Sequence, residues 1–472
     1  MKKIIVWFRK DLRIHDHAAL FEAAQQGYII PVFIWPSEQE FEYADSIAAK
    51  WSLHQSLISL KQNLEAKGMP LIIRKGNIQK ELLQLIKETS ADAVFYNRCY
   101  EPFMVQSLFE IEIQLSKSKI EVQSFHGNLL YQQFNILNKN HEPYKVFTSY
   151  WKRTMQEHVS TPYAIPKMTS TLATLPASLE IHELQLLSPN SLESRLDQHW
   201  KIGEQEAISH WTEFLEYGLN KYEHYKDFPS AQATSLLSPY LVWGNISVKS
   251  IWHSIQSLEI QGPSTETFLR QLVWRDFAYD QLIHFPTMPI KPLREAYNTF
   301  PWEGSSSDFN KWKLGQTGYP LVDAGMRELL ATGYMHNRVR MVVASFLVKH
   351  LLVPWTEGSK WFTQKLIDFE VANNAMGWQW TTGCGIDSAP FFRIFNPVAQ
   401  GKRFDPNGDY VRQWIPELKN LPQKFIHKPW EASQEILALA HLELGKDYPF
   451  PIVEHDFARK RALQAYNLIK KA

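Results

Sequence analysis

The chain has 472 residues, 44% hydrophobic and 21% charged. These values exclude a disordered, collagen-like or rod-like protein and leave room for about two to four domains of roughly 100–200 residues each. Fifty basic residues against 49 acidic give a net charge of +1, and both halves are balanced, so neither carries the basic excess usual for nucleic-acid binding.

Two cysteines, Cys99 and Cys384, are too few for a disulfide framework, a cysteine zinc site or an iron–sulfur cluster, and they fit a reducing, cytoplasmic compartment. The start, Met1 to Trp7, runs into Arg9, Lys10 and Asp11 before a signal peptide could be completed. It reads as the first strand, Ile4 to Phe8. Further β-branched or aromatic runs follow at Ile29 to Ile34, Leu71 to Arg74, Ala93 to Tyr96 and Ile120 to Phe125. Segments between them, such as Asp45 to Lys67 and Ile78 to Thr89, are long enough for crossover helices. The expectation is an α/β plus all-α protein: a doubly wound, parallel five-stranded sheet domain over 1–130, a connection over 131–199 and a helical domain over 200–472. The turn after the first strand reads Arg9-Lys10-Asp11-Leu12-Arg13 rather than GxGxxG, which argues against ordinary Rossmann dinucleotide binding.

Between Val159 and Asp197 a Ser-, Thr- and Pro-rich stretch has no sustained period and reads as a long connection. Helical patterns then run over Ala207 to Leu215, Ser247 to Leu258, Thr265 to His284, Tyr319 to Leu330, Asn337 to Leu352 and Trp361 to Glu370. The richest apolar run, Met341 to Val348, is broken by Lys349 and His350, so no membrane span is expected. Of 17 tryptophans, 13 lie at or beyond Trp200, an asymmetry that asks for a cause.

Several short motifs carry bland readings. His15-Asp16-His17 lacks a third ligand nearby and reads as a polar turn rather than a metal site. Lys167-Met168-Thr169-Ser170 imitates a synthetase lysine loop without that family's histidine motif. Cys384 is a lone cysteine in a glycine-rich loop. Thr234-Ser235-Leu236-Leu237-Ser238 puts three hydroxyls just before a turn, suited to a helix cap or to phosphate oxygens. In Tyr334 to Met341, Asn337 and Met341 share a helix face. The stretch from Leu366 to Trp380 sets Asp, Glu and Asn beside paired tryptophans, a combination suited to a hydrogen-bonding aromatic heterocycle.

Taken with Val6 to Arg13, Tyr144 to Thr148, Tyr222 to Pro229, Trp274 to Phe277, Gly318 to Asp323 and Phe392 to Pro397, these motifs cover essentially the whole chain. The sequence resembles the photolyase/cryptochrome flavoproteins, most of all a bacterial class I cyclobutane-pyrimidine-dimer photolyase. The resemblance implies an enzyme, a carbon–carbon lyase, in which light-excited, reduced anionic FAD passes an electron to a dimer flipped out of DNA. It places Tyr222, Thr234, Ser235, Leu236, Leu237 and Ser238 around the FAD phosphates, with Phe268, Arg275 and Asn337 nearby, and pairs Arg340 with Asp368. Asp368, Phe369, Glu370 and Asn374 fall at the flavin ring, and Trp302, Trp355 and Trp378 form an electron relay. The lesion falls to Gln271, Trp274, Met341 and Trp380, and flanking DNA to Lys226, Arg338, Arg393, Gln400 and Arg403. Implied partners are UV-damaged DNA and no membrane or obligatory protein, for a protein expected to be monomeric.

Departures from the family pattern also count. Gln271 stands where bacterial members usually carry Glu, Glu370 where Asp is usual, and Leu236 where a basic residue is frequent. Phe103 and Met104 replace the Asn-Glu pair that binds a folate antenna in some relatives, which leaves folate, a deazaflavin, another flavin or nothing as a second chromophore. The rival reading is a sensory cryptochrome-type receptor without repair. Asn374, where plant receptors have Asp, and the end at Ala472 without a long tail both weigh against it. A nucleotidyl enzyme of the synthetase type is a remoter alternative.

Overall fold

The computed structural model describes residues 1–37, 41–132, 136–170, 176–187, 191–259 and 262–470. They form two compact units. One comprises Met1–Asn220, Ser235–Pro286 and Ile367–Ala372, and the other Lys221–Thr234, Thr287–Leu366 and Asn373–Ala472.

The first unit is built on β1 (Lys2–Phe8), β2 (Gly27–Pro36), β3 (Ile72–Gly76), β4 (Ala93–Asn97) and β5 (Glu121–Phe125), all starting and ending close to their expected bounds. All pairs are parallel, in the order β3-β2-β1-β4-β5. Ile4 to Phe8 are fully buried, as a strand covered on both faces requires, and each such side chain contributes about 1.5–3 kcal/mol. The crossovers are α1 (Ala18–Gln26), α2 (Ile47–Glu65), α3 (Ile78–Thr89) and α4 (Pro102–Lys117).

The strand order reverses between β1 and β4, where doubly wound proteins commonly bind nucleotides. Here that crevice is filled by the protein's own charges. Asp11 accepts from Arg9 N at 2.7 Å and Asn97 Nδ2 at 2.9 Å, and lies 3.0 Å from His17 Nε2. Burial opposes ionisation of Asp11, but His17 and Arg9 outweigh it and hold the carboxyl down at about 2. Hence no glycine loop is needed at this turn. His17 also caps α1, its Nδ1 accepting from Leu20 N, and His15 Nδ1 meets Glu204 at 2.7 Å, so the His15-Asp16-His17 turn is a structural one.

The expected connection has more order than its composition implies. Helices occur at Phe147–Thr154 and Ser191–His199, with a 3-10 turn at Ile181–Leu184. Within that connection, 133–135, 171–175 and 188–190 lie outside the described residues. The 22-residue helix Pro263–His284 belongs to this unit and is tied to the sheet domain by Asp276, whose carboxylate accepts from Leu130 N at 2.9 Å and Tyr131 N at 3.0 Å.

The second unit is helical. Its longer helices are Pro320–Thr332, Asn337–Ser345, Trp355–Lys365 and His455–Lys470. Two expectations are corrected here. The Asn337 to Leu352 pattern is an α-helix only to Ser345, then one π turn over Phe346–His350. The Trp361 to Glu370 helix instead runs Trp355–Lys365, because Leu366 turns extended (φ −77°, ψ 127°), and a new helix starts at Val371. Asp368 and Glu370 therefore sit on the intervening turn, where side chains escape a regular helix face.

Candidate active site

In the first unit, Arg275 leaves the Pro263–His284 helix for a buried cluster. Its Nη2 donates to Glu370 Oε1 at 2.6 Å, its Nε to Oε2 at 2.9 Å, and its Nη1 to Asn128 O at 2.9 Å. The first two form a bidentate fork. Tyr279, one helical turn on, has its hydroxyl 3.0 Å from Glu370 Oε1 and 3.0 Å from Glu101 Oε1. Lys10 Nζ donates to the Glu101 carboxylate, to Tyr43 Oη at 2.6 Å and to Tyr279 Oη at 3.0 Å. Two cations thus face two carboxylates in a neutral set. Burial would lower Lys10, but Glu101 ahead of Tyr279, Tyr43 and Glu370 holds its ammonium charged; burial would raise Glu101, and Lys10 brings it down. Glu370, expected at the flavin ring, therefore has partners in Arg275 and Tyr279 that its own motif does not reveal. The spacing of Arg275 and Tyr279, four apart on one helix face, is the signal the sequence offers.

The Thr234 to Ser238 segment departs from its expected role in one respect. Ser238 Oγ donates to Asp368 Oδ2 at 2.7 Å, so in this structure the hydroxyl holds a carboxylate. Leu236 takes φ +49°, a left-handed conformation that costs a non-glycine residue about 1–2 kcal/mol. The Thr234 and Ser235 hydroxyls are half-buried and make no hydrogen bond among the described residues. Leu237, Phe268 and Phe369 are buried, Phe268 against Trp211 and Phe369 against Tyr43.

Gln271 is exposed, and among the described residues its hydrogen bonding is limited to a 3.4 Å contact from Nε2 to Thr267 O. Trp274 has one face covered by Phe147, with ring centroids 3.6 Å apart and planes within 8°. A base can therefore stack only on its other face.

In the second unit, Asn374 is oriented by Ser359: its Nδ2 donates to Ser359 Oγ at 2.9 Å and to the carbonyl at 3.3 Å. Its amide oxygen is left as an acceptor with no donor among the described residues. One helical turn on, Trp378 is 2% exposed, and its indole N–H has no partner among the described residues. Gly358 makes room for that ring, since a Cβ there would lie 2.1 Å from Trp378 Cη2. Trp355 is 3% exposed and Trp302 is half-buried against Phe300. The expected relay residues thus run from buried to partly exposed. They make no direct ring contact with one another; the ring neighbours of Trp378 are Phe362 at 5.1 Å and Trp312 at 6.5 Å.

The expected DNA residues of this unit differ in how committed they are. Arg338 Nη2 donates to Asp227 at 2.9 Å, and its guanidinium lies 4.4 Å over Phe404. Lys226 has longer contacts to Glu223 (3.7 Å) and Asp227 (3.9 Å). Arg393 and Arg403 are exposed, and Gln400 has a buried amide oxygen without a partner among the described residues. Asn337 is exposed, Met341 and Trp380 are half-buried, and Tyr222 is buried. Arg340 Nε donates to Met335 O at 2.6 Å.

Beneath the Asn337 helix start, Glu328 accepts from His336 N at 3.3 Å and from Tyr410 Oη. Burial pushes its carboxyl up to about 7. Because the folded value lies above the unfolded one, this group's contribution is complete below about pH 4.5 and is lost as pH rises through about 7. Glu328→Gln removes that loss. The variant should therefore gain on the parent by up to about 3 kcal/mol between pH 5 and pH 8, since each tenfold change in proton affinity is worth about 1.4 kcal/mol. Thermal unfolding at each pH reads the gain. A constant difference would show that Glu328 ionises normally. Cys384 is buried and its thiol is pushed by burial up to about 12, which removes it as a nucleophile.

Residues 4–169 match the family model described as DNA photolyase, and residues 268–468 the one described as FAD binding domain of DNA photolyase. A deoxyribodipyrimidine photo-lyase of Agrobacterium fabrum is 42% identical over 99% of this chain and 98% of its own length. The chain belongs to the photolyase/cryptochrome family. Among its relatives is cryptochrome-2 of Arabidopsis thaliana, 37% identical over the whole of this chain and 80% of its own length. A solved class III photolyase from Agrobacterium tumefaciens superposes with a TM-score of 0.96 at 41% identity, covering 100% of this chain and 98% of that one. The class expected from the motifs is class I, whereas that structure carries the class III label. The photolyase/cryptochrome FAD-binding domain thus takes in the Pro263–His284 helix from Phe268 onward, together with the turn holding Asp368 and Glu370. No described helix is long and apolar enough to cross a membrane.

Proposed function

We propose that this protein repairs cyclobutane pyrimidine dimers in DNA in a light-driven reaction that uses reduced FAD. The observation that carries the reading is Asn374, whose amide is held by Ser359 so that its oxygen stays available to a ring N–H. An aspartate there would lose the donor that makes the Ser359 bond and would add a negative charge beside the ring. FAD, when bound and reduced, supplies the light-excited electron.

Thr234 and Ser235 offer free hydroxyls to phosphate oxygens, with Tyr222, Leu236 and Leu237 beside them in the set, whereas the Ser238 hydroxyl is already given to Asp368. Asp368 and Asn374 would address the flavin ring. Glu370 acts through Arg275, keeping the turn that bears Asp368 in place. Gln271 and the face of Trp274 away from Phe147, in the first unit, and Met341 and Trp380, in the second, are each proposed to contact the dimer, whose flipping costs less than that of an intact base pair because it already stacks poorly. Arg393 and Arg403 are free to meet phosphates. Arg338 must first share its charge with Asp227, so it should add less to the salt dependence of binding. Trp302, Trp355 and Trp378 would pass electrons from an external reductant to an oxidised flavin.

The decisive test is illumination of the reduced protein with an oligothymidine containing cyclobutane dimers. Recovery of absorbance at the thymine band is expected. No recovery with flavin bound and reduced would overturn repair and favour the receptor reading, which the 37% identity to the plant cryptochrome supports.

A further inference from the structure

Two helices of the first unit, Phe147–Thr154 and Pro263–His284, interleave their side chains into a ladder. Phe147 stacks on Trp274, and Trp151, one turn from Phe147, lies 6.5 Å from it with planes at 25°. Arg270, one turn before Trp274 on the same helix face, completes the ladder. Its guanidinium carbon lies 5.8 Å from the Phe147 ring and 5.7 Å from that of Trp151.

Arg270 differs from Arg275 on its own helix and from Arg338 of the second unit, whose charges are already paired. Arg275 is bound by Glu370 and Arg338 by Asp227. Arg270 has no ion-pair or hydrogen-bond partner among the described residues, and Glu266, one turn earlier, does not pair with it. Its five donors are uncommitted while its position is held by rings. Lys145 and Lys152, close in sequence to Phe147 and Trp151, are exposed, whereas Arg153 is paired with Glu157 at 2.5 Å. A half-buried cation fixed on aromatic faces, with free donors, suits a phosphodiester strand.

We propose that Arg270 binds a backbone phosphate of the strand that carries the lesion, next to the base seated on Trp274. The proposal rests on the reading above that Gln271 and Trp274 meet the dimer. The aromatic ladder holds the guanidinium in place before DNA arrives, so little side-chain freedom is lost on binding.

The test is equilibrium binding, in the dark, of the flavin-loaded full-length protein to UV-irradiated and unirradiated oligothymidine over a KCl series. Arg270→Gln should weaken binding to both strands by a similar factor, on the order of three- to tenfold at low salt, because a phosphate contact carries no lesion information. The slope of log affinity against log salt should flatten by about 0.7, the value for one phosphate contact on a single strand. Arg270→Lys should restore the slope but only part of the affinity. Thermal unfolding and flavin absorbance serve as fold controls for both variants. An unchanged slope in Arg270→Gln would overturn the proposal and leave Arg270 a packing residue, and a loss confined to the irradiated strand would also overturn it, making Arg270 a lesion contact. If the parent protein shows no preference for irradiated DNA, the underlying reading fails first, and the proposal falls with it.

Discussion

Replacing Trp378 by phenylalanine should abolish light-driven reduction of oxidised flavin while leaving repair by prereduced protein largely intact. The indole is 2% exposed, on the same helix as Asn374 and one turn beyond it, and its N–H has no acceptor among the described residues. Phenylalanine keeps an aromatic ring and removes that unpaired donor, whose burial costs about 1–3 kcal/mol. The smaller ring also leaves space beside Gly358 and Phe362, and a cavity of this kind costs a comparable amount. The two effects offset, so the variant should fold and bind flavin. What it lacks is an indole that can be oxidised, and photoreduction in the presence of an external reductant should fall to the level of free diffusion. Paired measurements on one preparation decide the matter: flavin bleaching under blue light, and repair after chemical reduction. Loss of both would mean that Trp378 serves the lesion or the flavin directly rather than the relay.

Glu370→Ala should destabilise the protein by about 3–5 kcal/mol, the range for removing one partner of a buried ion pair. Arg275 would keep only Asn128 O, with its other donors desolvated, and Tyr279 would lose one of its two carboxylates. Such a loss is a large fraction of ordinary domain stability, roughly 5–15 kcal/mol. Glu370→Asp retains the charge but retracts it by one methylene and should cost less. Urea unfolding followed by circular dichroism ranks the two variants. If alanine and aspartate cost the same small amount, the cluster of Lys10, Glu101, Tyr279, Arg275 and Glu370 is not the support of the Asp368 turn described above.

The photolyase/cryptochrome fold is largely legible in the sequence. A strand buried on both faces must read as an apolar run, and the five runs of the first 125 residues correspond to the five strands with small shifts at their ends. Helix periodicity is equally reliable where one face is apolar, as over Pro263–His284 and Pro320–Thr332. It fails where local backbone geometry changes without a change of composition. The π turn after Ser345 and the extended Leu366 are changes of backbone geometry that a one-dimensional pattern does not contain. Likewise, no local signal tells that Ser359 orients Asn374, that Phe147 covers a face of Trp274, or that Ser238 holds Asp368.

The sequence by itself determined the strand order's raw material, the helical class of the second half, the family, and the residue types available to a flavin and a damaged base. Those follow from side-chain chemistry and from periods of two and 3.6 residues, which are local properties. Only the tertiary structure decided which charges are committed and which are free. Glu370 and Arg338 hold partners, Arg270 and the Asn374 oxygen have none among the described residues, and the crevice at the head of β1 is filled by Arg9, Asp11 and His17. The physical reason is that hydrogen bonding and burial are settled between segments far apart in the chain, so a net charge of +1 says little about the local charge that any ligand meets.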